Sequence, residues 1–427
     1  RFVGDVKLQL PAAPKLPAPD KADNLAEMPV QTGGKPSLMV LPFQLVGSRG
    51  NYAVAADAIP HELIQGLSRL RWLRVIARGT AFRFRGVAPD LRSIGQQLDV
   101  RYFLTGTIEN YESKCVIAIE LSKGADNSVL WSERYQARIG EIHETREAIA
   151  ANVISALEVH IPQSEARDAH LSVSENLDAW AKYHLGLSYM YRFNRNANAL
   201  AARHFEEAIS LDPRFARAHA GLSFTRFQDA FVKYAPDTDV AIADARRFAE
   251  RSVELDTLDP FCNFNMGRSY WLEGDIEGAF PWLDRSVLLS PNFAQGLYSK
   301  SFSEVMAGRH AEAFSNASSA FSLSPLDPLL YAMHGVRAFA LIEAGNYTEA
   351  AIWANKAARA PRAHFLIPMI AVIANVLTGN KAVASEWAEQ TRRMRPDANI
   401  QQFLSAFPFV DPDMRQRVSE SLAICGF

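Results

Sequence analysis

A short motif returns along the second half of this chain at nearly constant intervals, and its period restricts the fold more than any other feature. Leu211-Asp212-Pro213, Leu289-Ser290-Pro291, Leu323-Ser324-Pro325, Ala360-Pro361-Arg362 and Arg395-Pro396-Asp397 mark the joints. Pro291, Pro325, Pro361 and Pro396 follow one another at intervals of 34, 36 and 35 residues. Between them stand Gly274-Asp275, Gly308-Arg309, Gly345-Asn346 and Gly379-Asn380, each followed by a small residue: Ala279, Ala313, Ala350 and Ala384. Such a unit has room for two antiparallel helices. Small residues such as Gly267 and Ala279 let the pair approach closely, and Tyr270, Trp282 and Leu283 fill the gap to the next pair. Proline lacks an N–H and clashes with the preceding turn, so it ends the second helix. One pair cannot bury its apolar face alone, and stacked pairs form a solenoid with a concave surface. The period predicts six units, at 175–213, 214–257, 258–291, 292–325, 326–361 and 362–396. The first has about three residues too many around Asn194-Arg195-Asn196, and the second about ten around Tyr234-Ala235-Pro236-Asp237. Thr257 stands where the second unit would carry its proline.

The region resembles the tetratricopeptide (TPR) repeat family. Gly267, Tyr270, Gly274, Ala279, Leu283 and Pro291 fall at that family's preferred offsets. The resemblance implies a right-handed superhelix whose groove holds a protein or peptide partner. The first helix of each unit would line the groove. Arg217, Asn263, Asn265, Arg268, Lys300 and Arg337 are the groove candidates for holding a peptide or its carboxylate terminus by charge-assisted hydrogen bonds. Ordinary solvated groups would look the same in the sequence. Beyond Pro396, Phe403, Phe407, Phe409 and Val410 precede Asp411-Pro412, a good helix start. Residues 397–427 are expected to cap the open end of the solenoid.

Residues 9–36 form a Pro/Ala-rich linker, with Pro11, Pro14, Pro17, Pro19 and Pro29 set among alanines and charges. That composition buries too little apolar surface to order itself. A second domain follows over 37–161. Leu38-Met39-Val40-Leu41-Pro42-Phe43 is a continuous apolar run, as in a strand buried on both faces. Ala53 to Leu70 has helical spacing, with Ile59, Leu63, Leu67 and Leu70 on one face. Strands are expected at Leu73–Ile76, Tyr102–Ile108, Cys115–Leu121 and Val129–Ser132, and helices after Asp90 and from Ile142 to Ile161. Alternation of this kind gives an α/β sandwich.

This segment resembles the TolB-like amino-terminal domain found ahead of TPR arrays in bacterial regulators. The matching residues are Val40-Leu41-Pro42-Phe43, His61-Glu62-Leu63-Ile64, Leu67-Ser68, Leu73 to Arg78, Asp99-Val100-Arg101-Tyr102, Gly106-Thr107 and Leu130 to Tyr135. In such chains the domain follows either an OmpR-type winged helix or a class III nucleotidyl cyclase. Arg1-Phe2-Val3-Gly4-Asp5-Val6 resembles the last strand of the former. The chain opens without a methionine and is expected to be part of a longer protein. The resemblance implies that DNA is met only through a domain upstream of residue 1.

The remaining indications are negative or weak. A formal net charge of −2 argues against a large polyanion-binding surface. Cys115, Cys262 and Cys425 are unpaired in spacing, as in reduced cytoplasmic proteins. Neither a phosphate-binding glycine loop nor a metal-ligand or nucleophile motif occurs, so no cofactor, no metal and no enzymatic activity is expected. His61-Glu62 sits where helix-start chemistry explains it, with Asp57 favoured by the helix dipole. Arg69, Arg71, Arg74, Arg78, Arg83 and Arg85, interleaved with Trp72, Phe82 and Phe84, are a candidate anion-binding patch. Strand alternation, arginines out and aromatics in, would produce the same pattern. Three readings stay open: a transcriptional regulator's effector region, a nucleotidyl cyclase's regulatory tail, or a free-standing scaffold. A homodimer is compatible with each.

Overall fold

A computed structural model describes residues 34–46, 53–85, 90–111, 114–138, 142–171, 178–324 and 327–427. The proposed winged-helix stub and the linker up to Gly33 lie outside them.

The first part is a mixed sheet. β1 (Ser37–Val40) pairs in parallel with β3 (Arg74–Val75) on one side and β4 (Tyr102–Tyr111) on the other. β2 (Gln44–Val46) also pairs in parallel with β4. β5 (Lys114–Lys123) and β6 (Val129–Arg138) continue the sheet antiparallel, with Leu104 opposite Leu121 and Ile117 opposite Tyr135. Helices cover both faces, so β1 has no polar side, and its uninterrupted apolar run follows from that. Leu38 and Val40 pack with Ile59 and Leu63 of α1 (Ala53–Leu67) and with Val153, Leu157 and Ile161 of α4 (Ile142–Leu171). Met39 and Leu41 face Ala81 of the short α2 (Arg78–Ala81) and Ile94 of α3 (Leu91–Leu98). Asp90 caps α3, accepting from the Arg92 and Ser93 amides.

The second part is a stack of helix pairs: α5 (Ala179–Met190) with α6 (Arg195–Leu211), α7 (Ala216–Phe231) with α8 (Thr238–Leu255), α9 (Pro260–Leu272) with α10 (Ile276–Leu289), α11 (Ala294–Met306) with α12 (His310–Leu323), α13 (Leu330–Glu343) with α14 (Tyr347–Arg359), and α15 (Leu366–Leu377) with α16 (Lys381–Met394). A shorter pair follows, α17 (Ile400–Ala406) and α18 (Pro412–Ile424). The recurrent glycines work as turn residues. Gly274, Gly308, Gly345 and Gly379 all take φ near +76°, between 75° and 78°. The residue after each returns an amide hydrogen bond five residues back: Asp275 to Tyr270, Arg309 to Glu304, Asn346 to Leu341 and Asn380 to Asn375. That is the glycine-terminated helix end, which a side chain at the glycine would strain. Ala279, Ala313, Ala350 and Ala384 are fully buried where the two helices of a pair meet. The extra residues of the second unit lengthen its helices to 16 and 18 residues, against 13 and 14 in the next pair.

α4 does not stop at Pro162 but runs through it to Leu171. Contacts beyond the proline hold the extra turns. Glu165 accepts from the Tyr102 hydroxyl and from Arg101, each at 2.7 Å, and Asp168 pairs with Lys123 at 2.6 Å. Residues 33–427 form one compact unit.

Candidate functional site

In a TPR-like array the natural place for a ligand is the groove lined by the first helices of the pairs. Here the chain fills much of it. At one end α4 packs against α5 and α12, and Ser155 Oγ donates to the Asn292 carbonyl at 2.9 Å. Arg71 reaches Asp256, at the end of α8, at 2.7 Å. At the other end the segment after α16 turns back. Phe407 packs on Phe231 of α7, Trp271 of α9, Phe302 of α11 and Phe339 of α13, with ring centroids 5.4 to 6.5 Å apart. Trp271 Nε1 donates to the Ala406 carbonyl at 2.9 Å, and the Val410 amide to the Met306 carbonyl at 2.8 Å. Arg395 donates to the Val232 carbonyl at 2.6 Å, across the groove. Residues 397–427 therefore do more than cap the last pair. Phenylalanines 403, 407 and 409 are too apolar to stay on the surface, and the inner helices offer the nearest aromatic floor.

A cavity of about 70 Å³ remains between α4 and the inner helices. Its walls include Trp72, Glu158, Tyr183, Tyr191, Arg217, Gln295 and Asp327. Burial pushes the Glu158 carboxyl up to about 8, against the opposing pull of Arg217. Burial also raises Asp327 to about 6, although it accepts from the Leu329 amide at 2.8 Å and from Ser324 Oγ at 3.1 Å. Tyr191 donates to Gln295 at 3.0 Å, bridging α5 and α11. His184, beside Tyr183, is driven down to about 3, first by burial and then by Arg101 and Arg217.

The six groove candidates fall in different surroundings. Arg217 is largely shielded, with its side chain 13% exposed, and bonded to Asp259 at 2.7 Å; Asp259 also caps α9 through the Phe261 and Cys262 amides. Burial works against its charge, but Asp259 outweighs it and raises the guanidinium's pKa. Asn263 and Asn265 are buried and bonded to backbone carbonyls, at Thr257 and Asp259 for the first and Phe261 for the second. Arg268 is buried over Phe227 and Phe224. Lys300 pairs with Asp284 of α10 at 2.7 Å. Arg337 lies 3.8 Å from the Trp353 ring centre and 5.1 Å from that of Phe314, between α14 and α12. Arg217 and Arg268 meet residues of neighbouring first helices, whereas Lys300 and Arg337 turn to second helices of the pairs.

The arginine-rich stretch 69–85 is no continuous strand. Only Arg74–Val75 pairs, and a short helix and a 3-10 turn follow. Arg71 and Arg74 are tied to Asp256 and Asp99, and Arg85 to Asp57, each at 2.7 Å. Arg78 and Arg85 flank the Phe82 ring at 4.5 and 5.3 Å. Arg69 and Arg83 are both exposed. Their partners are separate carboxylates, and Trp72 is turned inward beside Arg217. Sequence reasoning did not single out Glu158, Tyr191, Gln295 or Asp327. Each looked like an ordinary helix or cap residue until distant elements met. No group of metal-ligating side chains and no helix long and apolar enough to cross a membrane occurs among the described residues.

With that geometry in place, residues 34–152 match the family model described as the second domain of HilA/YgeH-like transcriptional regulators. A "Putative adenylate cyclase 3" of Rhizobium meliloti (strain 1021) is 27% identical over 248 residues, covering 58% of this chain and 42% of that protein. The chain thus spans less than half the length of this relative. Among solved structures, PilF of Pseudomonas aeruginosa is 16% identical with a TM-score of 0.37, covering 53% of this chain and 94% of its own. YrrB, described as a TPR protein with an unusual peptide-binding site, is 16% identical with a TM-score of 0.30, over 48% of this chain and 98% of its own. The helix pairs described above establish the solenoid independently of these distant likenesses.

Proposed function

We propose that this chain is the effector and protein-interaction region of a bacterial transcriptional regulator. The match of residues 34–152 to a domain of HilA/YgeH-like regulators carries this reading. That match covers the same stretch as the TolB-like resemblance. The domain reaches the repeats through α4, so a partner bound to the repeats acts on both parts together. DNA contact belongs to an OmpR-type winged helix ahead of residue 1, and the chain itself turns over no substrate. The filled groove directs a protein partner to the outer helices, or requires it to displace residues 400–410. Chromatin immunoprecipitation of the full-length protein tests the reading. Discrete promoter peaks, with target transcription lost on deletion of residues 34–427, support it; no enrichment at promoters refutes it.

The similarity to a putative adenylate cyclase favours a second reading, the regulatory tail of a class III nucleotidyl cyclase. In that case disrupting the gene lowers cellular cyclic AMP and leaves no promoter footprint.

A further inference from the structure

The turn inside a helix pair carries a left-handed glycine in the last four units, but not in the first two. Phe193 and Lys233 stand at that place instead, with φ of 49° and 55°. The turn is otherwise the same: the Tyr234 amide returns to the Asp229 carbonyl at 2.9 Å, five residues back, as Asp275 returns to Tyr270. A left-handed φ is costly for any residue with a Cβ. Phe193 offsets that cost by packing, its ring meeting Tyr331 at 5.6 Å and Tyr191 at 6.2 Å. Lys233 has no comparable contact. Its carbonyl accepts from Arg195 and Arg395, which a glycine's carbonyl could do equally. Among the described residues its ammonium donates to Thr238 Oγ1, at a long 3.4 Å, and forms no ion pair. Strain without local compensation is a mark of residues kept for function.

Lys233 lines a cleft of about 360 Å³. The second unit's longer turn makes the room. Tyr234, Ala235 and Pro236 separate Lys233 from Asp237, the N-cap of α8, whereas Gly274 is followed at once by Asp275, the N-cap of α10. Phe231, Ile242 and Leu272 give the cleft apolar walls, and each keeps part of its surface free. Two carboxylates also line it, Asp239 and Glu273. Glu273 is taken by Arg246, through Nε at 3.0 Å and through Nη2. Asp239, exposed in the first turn of α8, pairs with no cation among the described residues. Burial lowers the Lys233 pKa, and Asp239 offsets this only in part. One space therefore holds an unpaired cation, an unpaired carboxylate and an apolar wall. Its volume lies at the lower end of the range of about 300–1,000 Å³ usual for small-molecule sites.

We propose that this cleft binds the zwitterion of a small apolar α-amino acid. The ligand carboxylate accepts a charge-assisted hydrogen bond from Lys233 Nζ, and its ammonium donates to Asp239. Its side chain lies on Phe231, Ile242 and Leu272, where apolar surface is removed from water. A simple anion would meet Asp239 unpaired, and a simple amine would meet Lys233; a molecule carrying both charges meets neither penalty. The site is independent of whether the chain serves transcription.

The test is titration calorimetry of the full chain with leucine, valine and phenylalanine, alongside isocaproate, which lacks the ammonium, and isoamylamine, which lacks the carboxylate. Saturable binding of at least one amino acid is expected, with isocaproate and isoamylamine weaker by about tenfold or more, as loss of a charged hydrogen bond implies. Lys233→Met weakens amino-acid binding by a similar factor, and Asp239→Asn brings leucine down to the level of isocaproate. Lys233→Gly abolishes binding yet raises the unfolding midpoint, because glycine relieves the left-handed φ. Exposed Arg393→Met leaves binding unchanged. If none of the three amino acids binds the wild-type chain, the proposal falls. Isocaproate or isoamylamine binding as tightly as leucine overturns the zwitterion, and undiminished binding in Lys233→Met and Lys233→Gly overturns the site.

Discussion

Glu158 joins the chemistry of single residues to stability. Its carboxyl is raised to about 8 in the fold, chiefly by burial, whereas an unfolded glutamate titrates near about 4.3. Between those values the folded chain holds a proton that the unfolded chain has lost. This contribution is therefore full below the unfolded value and declines as pH rises through about 8. Glu343, raised to about 8 by burial and then by Asp411, acts in the same direction. His184 and His364, lowered to about 3 mainly by burial, act at the acid end. Their contribution is present above about 6.5 and is lost as pH falls toward the folded value. Glu158→Gln should thus gain on the wild type as pH rises from 5 to 8.5, by about 1–3 kcal/mol at the top, measured by urea unfolding. A difference that does not change with pH would contradict the assignment. Close packing gives a second case. Phe205 fills the space over both Gly186 and Gly221, where an added Cβ would lie 2.5 and 2.6 Å from its ring. Gly221→Ala should cost about 1–3 kcal/mol, and no loss in the unfolding midpoint would show that Phe205 can move aside. Neither glycine carries a left-handed φ, so nothing local in the sequence marks them; the phenylalanine that needs them arrives from another helix.

Elements were legible where a local rule set them. The glycine at each of these inter-helix turns and the alanine five residues on are dictated within a single repeat unit, and the sequence displays both. The path of α4 was not legible, because Pro162 locally argues for a stop while Glu165 and Asp168 find their partners in distant strands. Pro162→Ala restores an amide donor in mid-helix. It should stabilise the chain by about 1–2 kcal/mol, the helix penalty of proline less its effect on the unfolded state. A destabilised variant would mean that the proline itself is needed at this position. The aromatic segment after α16 was visible as apolar, but its destination was not, since a cap and a groove filler need the same phenylalanines. Phe407→Ala should cost about 3–5 kcal/mol and expose Trp271 to quenchers, both read from tryptophan fluorescence during unfolding. Retained stability with a shielded Trp271 would show that the segment is dispensable to the groove.

For the whole molecule, the consequence is a solenoid that is closed from within. α4 ties the sheet to the first pair, Arg71 ties it to the end of α8, and the C-terminal segment bridges the inner helices. The candidate site shows why sequence alone falls short at this scale. Arg217 and Arg268 were recognisable as groove residues by repeat position, yet only the fold gives one a carboxylate and leaves the other without. Regulation through such a body would proceed by binding that shifts the unit as a whole. Limited proteolysis followed by gel filtration tests this most directly. The first cuts should fall between Gln9 and Lys35, and residues 37–427 should then elute as one particle, even after slower cleavage near 172–177. Elution of the 37–161 domain apart from the repeats would contradict the closed unit.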